Sequence, residues 1–226
     1  MESHRSLPTA GRFIRIETCP LPALISFPDG YVANSDHVWP LILFLHGRGE
    51  CGSDLTRVLC DGLPRYIAHA SQVPFFVLAP QCPAGTDWSA HHTALVTMLE
   101  QVVEVYQVDP HRIYLTGLSM GGRGTWQLAV EHAHRFAAIA PICGRTPDMP
   151  DFFERLAGLQ TMPVWVFHGA KDPIVPVSHS DRIVAALGGT GRNVRYTVYP
   201  EADHDAWSVT YTNPELYSWF LTHHRW

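Results

Sequence analysis

A serine, an aspartate and a histidine stand in this chain in positions that suit hydrolytic chemistry. Ser119 is the centre of Gly117-Leu118-Ser119-Met120-Gly121, a G-x-S-x-G. The β-rich run Arg112–Thr116 precedes it and a helix-forming segment follows. That context suits a nucleophile elbow, a strained strand-to-helix turn that lifts a hydroxyl off the backbone. Glycines flank it because a Cβ there would collide with the adjoining strand and helix. A serine hydroxyl is a poor nucleophile until a base takes its proton and a third group orients that base. Two later apolar runs end in such groups. Val164–Phe167 leads into His168-Gly169-Ala170-Lys171-Asp172, and Val194–Tyr199 leads into Pro200-Glu201-Ala202-Asp203-His204. Ligands bind beyond the carboxyl ends of strands in open α/β sheets, so Asp172 and His204 are the expected acid and base. Asp203 and Asp205 adjoin His204, and a sequence neighbour points away from the ring it would have to orient.

Positioning these residues requires a sheet. Segments 12–18, 22–27, 40–45, 75–79, 112–116, 136–141, 164–167 and 194–199 read as strands. Segments 92–106, 120–132, 151–158, 178–187 and 215–223 read as helices. The uninterrupted run Pro40–Leu45 marks a strand covered on both faces. Alternation of strands and helices predicts an α/β fold, with a mostly parallel central sheet and helices on both faces. The first two strands, joined by a short turn, form an antiparallel N-terminal edge. Residues 1–226 read as a single domain. Between the strands at 136–141 and 164–167 only one brief helix fits, which leaves no large lid.

Five blocks carry a family resemblance: Leu43–Glu50, Ala79–Pro83, Gly117–Gly122 through Trp126, His168–Asp172 and His204–Trp207. In them the chain resembles the α/β-hydrolases of the carboxylesterase type, close to the phospholipase/carboxylesterase-like and predicted-peptidase groups. The blocks are spread from about residue 40 to 207. The order Ser…Asp…His is that of the superfamily. Acyl transfer also needs donors for the oxyanion. One is expected from the backbone N–H of Met120, at the start of a helix. The resemblance assigns the other to the backbone of Arg48, with Gly49 as the alternative. Glu50 in the same loop is a candidate for shaping it or touching substrate, set against a structural ion pair. Trp88 and Trp207 are candidates for a substrate pocket, set against simple packing. His46 is expected to pack and shape its loop rather than act as a second base.

The chain has 226 residues, 46% of them hydrophobic and 16% charged, with a formal net charge of −5. That balance fits a globular protein and gives no electrostatic footprint for nucleic acid or an anionic membrane. No stretch reaches the roughly 18 apolar residues of a membrane span, and the polar N-terminus lacks a secretory apolar core. A cytoplasmic location is the expectation. The five cysteines (Cys19, Cys51, Cys60, Cys82, Cys143) have no C-x-x-C spacing and are expected to be mostly reduced, with a disulfide among Cys51, Cys60 and Cys82 left open. No metal site is expected: the 14 histidines include no H-E-x-x-H, and the adjacent pairs His91-His92 and His223-His224 cannot share a helix face. Gly47–Gly52 matches G-x-G-x-x-G, but no acidic residue closes the next strand, where a ribose partner belongs. Arg123-Gly124 stands where a P-loop needs Lys-Ser/Thr. The expected function is cofactor-free hydrolysis of small carboxylic esters through an acyl-enzyme, with short, soluble acyl chains preferred for want of a lid. Thioesterase, aryl or feruloyl esterase and peptidase remain alternatives within the same chemistry, and a catalytically silent binding protein remains one outside it.

Overall fold

The computed structural model describes residues 12–16, 20–70, 72–191 and 193–225. The N-terminal segment through Gly11, the end of the first predicted strand at Glu17-Thr18, and Cys19 lie outside the described residues. The apolar run at 40–45 forms β3 (Trp39–Leu45), near the middle of an eight-stranded sheet. Its neighbours are β4 (Phe76–Pro80) and β5 (Val108–Leu118), both parallel to it. Parallel pairing continues through β6 (Ala138–Ile142), β7 (Val164–Gly169) and β8 (Val194–Tyr199). β1 (Phe13–Ile16) and β2 (Ala23–Ser26) add the antiparallel edge, giving the order β1-β2-β4-β3-β5-β6-β7-β8.

Side chains alternate across β3 and so divide the core in two. Leu41, Leu43 and Leu45 face a cluster built with α2 (His92–Val105), α3 (Met120–Glu131) and α5 (Ser178–Ala186). Ile42 and Phe44 face the other layer, with α1 (Gly62–His69), α6 (Trp207–Tyr211) and α7 (Pro214–Leu221). Burial on both faces explains why the central strands read as continuous apolar runs rather than as alternating ones. Between β6 and β7 the chain makes only the one-turn α4 (Phe152–Arg155) and a 3₁₀ turn, Leu156–Leu159. The expected helix over 151–158 is thus split, and among the described residues no large lid covers the sheet.

Two elements depart from the sequence reading. The strand read over 112–116 starts earlier, at Val108, so that Asp109-Pro110 lies inside β5. Trp39 pairs with Val108 and Leu41 with Ile113, so the intervening residues form a bulge that tolerates a proline without an N–H. Helix α1 was not foreseen, because Gly62 and Pro64 sit in its first turn. There a proline costs little, since the first N–H groups of a helix have no intrahelical acceptor.

The helix after Ser119 packs against the sheet at backbone distance. A Cβ on Gly121 would lie 1.9 Å from Leu45 O. In an exposed helix, replacing Gly by Ala stabilises by about 1 kcal/mol. Here Gly121→Ala is expected to do the opposite, destabilising by about 1–3 kcal/mol through overpacking. A raised midpoint in calorimetric unfolding would contradict this packing.

Candidate active site

The elbow stores strain. Ser119 has φ 53° and ψ −111°, a conformation that costs a non-glycine residue about 1–3 kcal/mol. The backbone around it is held on both sides: Ser119 N–H donates to Ile142 O at 3.0 Å, and Arg123 N–H donates to Ser119 O at 3.0 Å. Its Oγ lies 2.8 Å from His204 Nε2. His204 Nδ1 lies 2.7 Å from Asp172 Oδ2. A carboxylate oxygen accepts, so the His204 proton sits on Nδ1 and Nε2 is left to accept from the serine hydroxyl. Three residues from three separate loops thus form one hydrogen-bonded chain.

Asp172 is the acid that meets the histidine, and its side chain has no exposed surface. The turn it begins satisfies the second oxygen: Oδ1 accepts from Ile174 N–H at 2.9 Å and Val175 N–H at 2.8 Å. His168 lies against the same carboxylate, with Nε2 3.3 Å from Oδ2. Burial lowers the His168 pKa, which favours the neutral ring bonded to Val175 O and Ser180 Oγ. The two rejected acids are used locally. Asp203 accepts from Asp205 N–H, and Asp205 accepts from the N–H and hydroxyl of Ser208 in α6.

The loop after β3 approaches the elbow from the other side. Met120 is the first residue of α3, where N–H groups lack intrahelical acceptors. Arg48 begins a 3₁₀ turn, Arg48–Glu50. The carbonyls of this loop are tied back into the protein. His46 O accepts from the Trp88 indole at 2.9 Å, Gly47 O lies 2.6 Å from His46 Nδ1, and Gly49 O accepts from Arg57 at 2.6 Å. Gln81 Nε2 donates to Glu50 O at 2.9 Å and Asp54 O at 2.7 Å. In a planar trans peptide the N–H points opposite to the preceding carbonyl. Turning Gly47 O toward His46 therefore turns Arg48 N–H away from that ring. His46 also accepts Cys82 N–H on Nε2 at 2.9 Å, so it orients its loop and ties it to the end of β4.

The remaining candidates separate. Trp88 is 1% exposed and packs against Gly124, where a Cβ would lie 2.7 Å from its own Cβ, so it belongs to the core rather than to an open cleft. Trp207 is half-buried, sets its ring across His204 at 5.3 Å and 89°, and donates its indole N–H to Asp61 Oδ1 at 2.9 Å. Glu50 lies 3.8 Å from His46 Nδ1; burial raises its pKa, and the Asp61 charge adds to the effect. A cavity of about 570 Å³ lies beside this region between α1 and α6, lined by Asp61, Arg65, Tyr66, His69, Ser208 and Thr212 among others. Spacing had not singled out Asp61, because its partner stands 146 residues away. Cys51, Cys60, Cys82 and Cys143 are free thiols. Among the described residues, one set of His, Cys, Asp or Glu could share an ion: Cys143, Asp172 and His204, with ligand atoms within 4.8 Å of one another. Two of the three already bond each other. No helix among the described residues is long and apolar enough to cross a membrane.

Burial pushes the His46 pKa down to about 4 from its ordinary value near 6.5. Between those values only the unfolded chain takes up this proton, so stability is full above about pH 6.5 and falls as pH drops toward 4. One such group contributes a slope of about 1.4 kcal/mol per pH unit. Urea unfolding at pH 7, 6 and 5 is expected to show a shallower loss of stability in His46→Gln than in wild type. Equal slopes would remove His46 as a source of the acid sensitivity.

The family model described as the dienelactone hydrolase family matches residues 84–213. NocK of Nocardia uniformis subsp. tsuyamanensis, provisionally named an esterase, is 28% identical over 76% of this chain and 49% of its own length. Acyl-protein thioesterase 1 of Gibberella zeae is 28% identical over 79% of this chain and 88% of its own length. The crystal structure of a thermostable esterase superposes with a TM-score of 0.78 at 32% identity, covering 95% of this chain and 64% of that one. The chain spans about half or less of the first three curated relatives it matches, at 49%, 21% and 35% of their lengths. With more than half of its residues inside the matched model, the protein belongs to the dienelactone hydrolase family of the α/β-hydrolase superfamily.

Proposed function

We propose that this protein is a serine hydrolase acting on carboxylic esters, with Ser119 as nucleophile, His204 as general base and acid, and Asp172 as the group that orients His204. The observation that carries this reading is the continuous relay from Ser119 Oγ to His204 to Asp172, at 2.8 and 2.7 Å. Ser119 attacks the ester carbonyl as Nε2 of His204 takes its proton. The imidazolium that forms donates to the buried Asp172 carboxylate and returns its proton to the leaving alkoxide. The acyl group stays on Ser119 until water, activated by the same histidine, releases it. The backbone N–H groups of Met120 and Arg48 receive the oxyanion; removing one such donor typically costs about 2.7–4 kcal/mol of transition-state stabilisation. None of these steps calls on a cofactor.

Short, soluble esters suit a site over which the described residues form no large lid. Thioesters are the second reading, favoured by the match to acyl-protein thioesterase 1 over most of that protein's length. The two share the acyl-enzyme and differ in the leaving group.

The test is hydrolysis of p-nitrophenyl esters from acetyl to palmitoyl, run beside an acyl-thioester series, on wild type and Ser119→Ala. Activity is expected to peak at acetyl to butyryl and to fall at least about 10³-fold in kcat in the variant. A fluorophosphonate is expected to label wild type at Ser119 and to spare the variant. Near-normal turnover by folded Ser119→Ala would end the assignment, and a maximum on long-chain emulsions would end the short-ester preference.

A further inference from the structure

His204 sits on a loop, and a loop histidine must be fixed from more than one side to hold two hydrogen bonds at once. On the side of its acid the loop is anchored by direct packing. Lys171 N–H donates to Ala202 O at 3.0 Å, and a Cβ on Gly169 would lie 2.0 Å from Asp203 O. The five-residue helix that follows, α6, is tied at its far end, where Tyr211 Oη lies 3.0 Å from Thr116 Oγ1 in β5. Its near end, next to the histidine, begins with Trp207.

Trp207 is held by a carboxylate from the opposite side of the site. Asp61 Oδ1 accepts the indole N–H at 2.9 Å and Gly62 N–H at 2.8 Å. Gly62 has φ +63°, and a Cβ there would lie 2.6 Å from Leu118 and 2.7 Å from Phe44. The start of α1 therefore rests directly on the residue before Ser119. Trp207 in turn presents its ring perpendicular to His204, with centroids 5.3 Å apart. The geometry points to Asp61 as a positioning residue: acting through Trp207, it fixes His204 relative to the elbow that carries Ser119. This rests on the ester-hydrolase reading for its kinetic consequence, while the latch itself is a matter of structure.

The hydrogen bond, not the charge, carries the effect. Asp61→Asn keeps an oxygen that accepts from the indole, Asp61→Ala removes it, and Trp207→Phe keeps a ring against His204 but removes the donor. On a short p-nitrophenyl ester, Asp61→Ala and Trp207→Phe are each expected to lower kcat about ten-fold with little change in KM. Asp61→Asn is expected to recover most of that loss. The double variant Asp61→Ala/Trp207→Phe is expected to be no slower than either single one, because both remove the same bond. Fully additive losses, or an Asp61→Asn variant as slow as Asp61→Ala, would overturn the proposal. So would folded single variants with wild-type kcat.

A second readout is independent of turnover. The indole N–H resonance of Trp207, assigned by its absence in Trp207→Phe, is expected to move in Asp61→Ala and to stay near its wild-type position in Asp61→Asn. A resonance indifferent to Asp61→Ala would remove the latch. A latch present in this measurement, in a wild-type protein that cleaves no ester, would instead count against the ester-hydrolase reading alone.

Discussion

A carboxylate with no exposed side-chain surface organises the region around Ser119. An unpaired charge taken out of water costs several kcal/mol, so Asp172 must be matched by donors on every side. The turn Asp172–Val175 supplies two backbone N–H groups to one oxygen, and His204 supplies its ring N–H to the other. The same demand leaves His204 no freedom to turn away, because rotating its ring would leave the buried charge short of a donor. The tautomer that presents Nε2 to Ser119 follows from this one satisfied charge. His168, neutral and bonded to Val175 O and Ser180 Oγ, closes the remaining flank without adding a competing charge.

Steric exclusion governs the Ser119 side in the same way that charge governs the Asp172 side. α3 and β3 meet with almost no space between backbones at Gly121, and that closeness brings the start of the helix over the end of the sheet. Ser119 pays for the turn with a strained φ, which two backbone hydrogen bonds and the packed layers on either side sustain. The loop after β3 then fits in one orientation. Its carbonyls are taken by Trp88, His46, Arg57 and Gln81, which fixes the orientation of its peptides, the one that carries Arg48 N–H among them. A single buried histidine, His46, connects this loop to the end of β4 and sets one of its peptides.

Much of this was legible in the chain itself. The buried strands announce themselves as runs of apolar residues, the turn at Ser119 as glycines around a serine, and Asp172 and His204 as polar residues just past strand ends. These signals are local: each depends on a residue's own neighbours in sequence. Asp172 was separable from Asp203 and Asp205 by an argument about side-chain direction that needs no coordinates. The same locality made α1 and the bulge in β5 hard to see. Gly62 and Pro64 speak against a helix unless they fall in its first turn, and Asp109-Pro110 speaks against a strand unless the partner strand skips the extra residues. In both cases the deciding partner lies in another part of the chain.

The amino-acid sequence by itself determined the fold class, the order of Ser119, Asp172 and His204, and the strands that lead into them, because periodicity, turn chemistry and strand-end position are encoded within a few residues. Only the tertiary structure decided which side chains meet. It placed Trp88 in the core, turned the His46 loop, and joined Asp61 to Trp207 across 146 residues. Such contacts arise from the register between strands and the depth to which helices sink onto the sheet. Those quantities are set by packing the whole chain at once, and no segment carries them alone.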